Sequence, residues 1–153
     1  MSLTYDDFRA GEKLFVGKLS ERFYFNSKEI FKLPSNEFFI RTDWHLLPLV
    51  GFFPEIEIYR IQGKLVLVFL TNHYYTFIEP VKVIESQTTN QFDGFEPGKQ
   101  YELKNGQIWQ QINGPYAPNH ISTGYVKIVN DEIMMVDNWS FYPNVHLINN
   151  KYI

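Results

Sequence analysis

The chain has 153 residues, 44% of them hydrophobic and 18% aromatic, with a net charge of −3 and no cysteine. That bulk supports a real core, and the missing cysteines exclude a disulfide framework or a thiolate metal site. Ten acidic and ten basic residues lie up to Val83, seven and four from Ile84 on; neither half has a Lys/Arg stripe, which argues against nucleic-acid binding through the phosphates.

No stretch nears the roughly 18 apolar residues of a membrane span, so no membrane is expected. The start, Thr4-Tyr5-Asp6-Asp7, is polar and acidic rather than a signal sequence, and a cytoplasmic protein is expected. Met1-Ser2-Leu3 reads as an expression scar.

Residues 4–13 suggest one helical turn or an entry loop. Leu14–Val16 and Arg22–Phe25 read as short strands, with a turn at Asn26-Ser27. A hairpin, Ile30–Leu33 with Phe38–Arg41, follows around Pro34-Ser35-Asn36. Trp44–Pro54 is an unusually apolar connection. A second hairpin joins Ile56–Ile61 to Leu65–Leu70 across Gln62-Gly63, and Phe77–Ile84 reads as a closing strand.

The second half repeats that order. Tyr101–Gln111 carries Asn105-Gly106 between alternating apolar runs, the pattern of a two-residue type I′ hairpin. Shifted back seventy positions, Phe31 lies under Tyr101, Leu33 under Leu103, Phe38 under Ile108 and Phe39 under Trp109. Phe92-Asp93-Gly94 is similar to Phe15-Val16-Gly17 at an offset of 77, and Ile128 follows Ile58 by 70. Trp139–Phe141 and Val145–Leu147 match Tyr75–Phe77 and Val81–Val83 at 64. The expectation is an all-β protein of two tandem small SH3-like barrels, alternatively OB-like, from an internal duplication. The first would span residues 8–83 and the second 84–150, since strands in such number do not stay a flat sheet with bare edges.

Glu85-Ser86, Phe92-Asp93-Gly94-Phe95 and Leu103-Lys104-Asn105-Gly106-Gln107-Ile108-Trp109 together resemble a signature of short bacterial proteins and C-terminal modules. There a Gly-x-Phe-x-Gly-aromatic segment precedes Leu-x-Asn-Gly-Gln-x-Trp; here Asn90 stands at the first glycine. The resemblance covers residues 84–148. It implies a small β-module and a bacterial origin, and brings no activity or catalytic residue.

The four histidines, His45, His73, His120 and His146, lack metal-motif spacing and read as surface residues. Asp43 lies near His45, but without a nucleophile the pair makes no site. Glu55 and Glu57 alternate with Ile56 and Ile58, as on the solvated face of a strand. No catalytic residue, metal or cofactor is expected.

With a two-residue turn, Leu103 faces Ile108 in the core, and Trp109 projects to the polar side beside Glu102 and Gln107. Phe39 is its counterpart opposite Lys32. A large aromatic amid polar residues is what a stacking platform needs, whereas a bent strand would bury it. Tyr116, in the turn-rich loop Asn113–Asn119, could join Trp139 and Tyr142 in an aromatic rim. The ligand-binding candidates are therefore Trp109, Tyr116, Trp139, Tyr142 and Phe39.

The interface candidates are Trp44, Leu46, Leu47, Leu49, Phe52 and Phe53, an apolar set that needs cover from the second barrel, a homodimer or an external partner. The functional expectation is a non-catalytic binding or protein-interaction module of unknown ligand, with a protein or peptide as a possible partner. The alternatives are a small hydrolase with a carboxylate site between the barrels and a structural oligomer subunit.

Overall fold

The computed structural model describes residues 3–25, 28–43, 53–137 and 139–150. The protein is all-β: among the described residues there are fifteen strands and one five-residue helix. No helix among them is long and apolar enough to cross a membrane. The chain divides into two compact units, Met1–Val81 and Lys82–Ile153.

In the first unit, helix α1 (Tyr5–Arg9) precedes strands β1 (Glu12–Lys18), β2 (Glu21–Phe25), β3 (Lys28–Lys32) and β4 (Phe38–Arg41). Then come β5 (Glu55–Ile61), β6 (Lys64–Phe69) and β7 (Tyr75–Pro80). They form one antiparallel sheet in the order β1-β5-β6-β7-β4-β3-β2. Alternation along the strands sends Phe31, Phe39, Ile56, Ile58, Leu67, Phe69 and Ile78 into one core. The opposite faces of β5 and β6 are also buried, because Tyr59, Val66 and Val68 pack with Phe8 of α1. The two-sided burial explains why β6 reads as a nearly unbroken apolar run.

The second unit holds β8 (Val83–Gln87), β9 (Phe92–Phe95), β10 (Gln100–Glu102) and β11 (Gln107–Gln111). It continues with β12 (Ala117–Ser122), β13 (Tyr125–Val129), β14 (Ile133–Val136) and β15 (Val145–Asn150). Three small sheets result: β10-β11-β15, β12-β9 and β14-β13-β8. Single-pair bridges join Thr88 to Leu103 and Ile133 to Asn144. Phe92, Phe95, Tyr101, Leu103, Trp109, Ile128, Met134 and Val145 belong to its core.

Several sequence expectations change here. The expected strand Phe77–Ile84 is two strands, of which β7 pairs with β6 and β4, and β8 pairs with β13. The likeness of Phe92–Gly94 to Phe15–Gly17 is not one of position, because β1 pairs with β5 whereas β9 pairs with β12. Residues 139–141 form no strand, so they are no counterpart of Tyr75–Phe77 in β7.

The largest correction is at Asn105-Gly106. Gly106 alone of the pair takes positive φ, at +89°. Its N–H donates to the Leu103 carbonyl at 3.0 Å, and the Leu103 N–H donates to the Gln107 carbonyl at 2.8 Å. This is a three-residue loop, a type I turn followed by a left-handed residue in a bulge. It pairs Tyr101 with Trp109 and Glu102 with Ile108. One more loop residue reverses every side chain of the returning strand, so Trp109 points into the core.

The first unit repeats this geometry: Asn36 N–H donates to the Leu33 carbonyl and Leu33 N–H to the Glu37 carbonyl, both at 2.9 Å, with Asn36 at φ +68°. Among the described residues, paired positive φ values occur instead at Gln62-Gly63 (+51°, +78°) and Asn130-Asp131 (+55°, +57°), as in type I′ turns. Gly106→Val is expected to cost about 1–3 kcal/mol, because a β-branched residue is strained at positive φ. Urea melts measure this, and an unchanged midpoint would mean the loop can adopt another turn.

Candidate functional site

Of the ligand-binding candidates, two are internal. Trp109 is 1% exposed, and its indole N–H donates to Gln107 Oε1 at 3.0 Å. Phe39 lies in the first unit's core at 7%. Neither presents a ring for stacking, which corrects the expected platform. Of the interface candidates, Trp44, Leu46, Leu47, Leu49 and Phe52 lie outside the described residues. Phe53 is 60% exposed, at φ +48°.

The other three candidates lie in two segments of the second unit that touch each other, residues 113–119 and 139–144. Trp139 is half-buried, its ring edge-on to His120 at 4.6 Å and to Phe92 at 5.8 Å. Phe141 stands 5.3 Å from both Phe95 and His120. Tyr142 is half-buried and Tyr116 is 70% exposed. Their loops are tied together: Ile112 N–H donates to the Asn144 carbonyl at 2.8 Å, and Asn144 N–H to Asn113 Oδ1 at 3.2 Å. A Cβ on Gly114 would lie 3.0 Å from Pro143 Cα, so these segments touch at their backbones. His120, read from sequence as an ordinary surface residue, is thus part of an aromatic cluster.

Gln111 holds this arrangement from beneath. It is fully buried, and its Oε1 accepts from Glu96 N–H at 3.1 Å and Tyr101 O–H at 2.9 Å. Its Nε2 donates to the Asn113 and Pro115 carbonyls, both at 2.9 Å. The amide therefore uses both ends, fixing the loop that presents Tyr116 to β9 and β10.

Two clefts flank residues 88–91 of the same unit. One, of about 370 Å³, is lined by Thr89, Asn90, Gln91 and Gln100 and by the Lys99–Asp93 ion pair. The other, of about 400 Å³, is bounded by Ile121, Ser122 and Thr123 of β12 and its following turn. Ile121 and Tyr125 are exposed, at 59% and 60%.

The first unit buries two carboxylates. Glu57, expected on a solvated face, is only 5% exposed because α1 covers it. It accepts from Tyr5 O–H at 2.7 Å and Tyr59 O–H at 2.9 Å, with Lys13 Nζ at 2.6 Å. Burial pushes its carboxyl up, but these three partners more than offset that, and its pKa falls below the ordinary value. The hydrogen bond to Glu57, with burial, pushes the Tyr5 hydroxyl up to about 12.

Glu29 behaves in the opposite way. Burial raises its pKa despite Arg22 Nε at 2.9 Å and Arg41 Nη1 at 3.6 Å. Its Oε2 lies near Arg22 without the alignment of a hydrogen bond, which weakens the offset. Among the described residues, no group of three or more His, Asp or Glu side chains is placed to hold a metal ion.

These shifts fix a pH dependence. Glu57, depressed in the folded state, contributes stability above its unfolded value that is lost as pH falls through the folded value, below 4.5. Glu29, raised in the folded state, contributes most below its unfolded value and loses that contribution as pH rises through the folded one. Glu57→Gln should therefore be less stable than wild type at neutral pH, with the gap closing below 4.5. Urea titrations from neutral to acid pH check this; a gap independent of pH would assign the loss to packing alone.

The chain matches none of the protein-family models, curated proteins or solved structures with which it was compared.

Proposed function

We propose that the protein is a non-catalytic peptide-binding module made of two small barrels from an internal duplication, and that the second barrel carries the ligand surface. One observation carries the functional reading. Tyr116 and His120 come from one segment and Trp139 and Tyr142 from another, and the Ile112–Asn144 and Asn113–Asn144 hydrogen bonds and the ring contacts of His120 hold the two segments together. Aromatic rings on a rigid base suit extended peptides, because they supply contact area at low entropic cost.

Support for barrels comes from the edges. β1 and β2 are the two outermost strands of the seven-stranded sheet, yet only Leu19 and Ser20 separate them in sequence. Flat, those edges would stand ~29 Å apart, while three peptide steps reach ~11 Å, so the sheet curls until its edges approach. In the second unit the Thr88–Leu103 and Ile133–Asn144 bridges link both ends of the β8 sheet to the β10 sheet. The duplication draws support from two turn classes that recur in one order. The three-residue bulged loop appears at Asn36 and Gly106, and the type I′ turn at Gln62-Gly63 and Asn130-Asp131.

Selection of peptides from a random displayed library against the immobilised protein tests the function. Enriched sequences should lose at least about tenfold in affinity for the Tyr116→Ala variant, as when a central aromatic contact is truncated. Equal binding by that variant, or no enrichment at all, would refute a peptide site here.

A further inference from the structure

We propose that the outer face of β5, β6 and β7 is a recognition groove for a tyrosine and a phenylalanine three residues apart, and that α1 fills it in cis as an internal competitor. This surface belongs to the first unit and does not depend on the reading of the second.

Five residues are too few to hold a helix alone in water. The Thr4–Asp7 capping box closes the first turn, but what keeps α1 in place is the surface below it. Tyr5 and Phe8, at i and i+3, share one side of the turn. Phe8 is fully buried against Tyr59, Val66 and Val68, with its ring edge-on to Tyr75 at 4.7 Å. Tyr5 reaches Glu57 with its hydroxyl at 2.7 Å and lies parallel on His73 at 4.1 Å.

Simple packing does not call for this chemistry. An apolar side chain at position 57 would cover the sheet without the desolvation penalty of a carboxylate. A carboxylate already met by Lys13 and Tyr59 is instead suited to receive one further hydroxyl. His73 adopts φ +59°, a strained conformation for a residue other than glycine, and its ring lies flat against Tyr5. Both features read the tyrosine.

The occupant is also separable. Phe8 is the only fully buried residue of α1. The chain beyond it is anchored independently, since a Cβ on Gly11 would lie 2.7 Å from the Arg60 carbonyl oxygen and β1 pairs with β5 from Glu12 onward. The helix can therefore lift without unzipping β1, and a segment with Tyr-x-x-Phe from a partner protein can replace it.

The probe is a synthetic peptide of residues 3–11, added to the full chain carrying Tyr5→Ala and Phe8→Ala. Saturable NMR shifts at Val66, Val68 and Tyr75 are expected in this variant, and weaker binding in wild type, where α1 competes. Adding Glu57→Gln should weaken the peptide about tenfold, the worth of a hydrogen bond to a charged group. No binding to the folded variant, or equal binding to wild type, would overturn the proposal. Should the variant fail to fold, hydrogen exchange on wild type decides. Faster exchange at Phe8, Ala10 and Gly11 than in β5 and β6 supports a separable occupant, and exchange only with global unfolding overturns it.

Discussion

Trp109→Ala should remove about 3–5 kcal/mol of stability, the usual cost of truncating a large buried aromatic. The side chain is 1% exposed and packs in the second unit's core with Tyr101, Leu103 and Val145. Its indole N–H is satisfied by Gln107, which itself stands at the bulged loop. Truncation therefore leaves a cavity and takes one of two donors from Gln107 Oε1, which keeps Asn105 Nδ2 at 3.0 Å. Denaturant melts read by NMR should show the loss in β8–β15, since the first unit's core contains none of these residues. A solvent-facing ligand platform would give a change within about 0.5 kcal/mol, so the experiment separates the two placements of this ring.

The same residue shows how far the sequence could be read. Alternating apolar runs around Asn105-Gly106 correctly mark a hairpin, because period-2 burial leaves a direct trace in the chain. The loop length leaves a much weaker one. Asn-Gly suits both a two-residue turn and the end of a three-residue one, and the choice reverses the faces of β11. In the first unit Pro34-Ser35-Asn36 forms the same bulged loop, a hint that the two hairpins share the longer form.

Burial on the second face of a sheet is equally hard to read. Glu57 alternates with isoleucines as any exposed strand residue would; only the docking of Phe8 and Tyr5 places it inside. Tyr116, Trp139 and Tyr142 were legible as aromatics in turn-rich segments, but His120 joined them only through the β9–β12 pairing, at a sequence separation that local patterns do not register. Gln111 sits on the same face of β11 as Trp109, in a strand whose polar residues all look solvated from sequence. Nothing local distinguishes the one that is buried.

Gln111→Leu is expected to cost about 2–4 kcal/mol, one or two times the penalty for a buried polar group left without its partner. Leucine conserves much of the volume, so the loss measures hydrogen bonding rather than a cavity. Tyr101 O–H keeps the Gly94 carbonyl at 3.2 Å, but the Glu96 N–H and the Asn113 and Pro115 carbonyls lose the amide. Gln111→Glu should be no milder: an ionised carboxylate still accepts from Glu96 and Tyr101, yet it sets negative charge against the same two carbonyls. Both variants should also loosen residues 113–116, and peptides selected on the wild-type rim should bind them more weakly, because Tyr116 is no longer held in place. Thermal melts give the stability, and backbone relaxation of residues 113–116 gives the order of the loop. Unchanged values of both would show that the carbonyls find water as readily as they find Gln111, and that the rim does not rest on this amide.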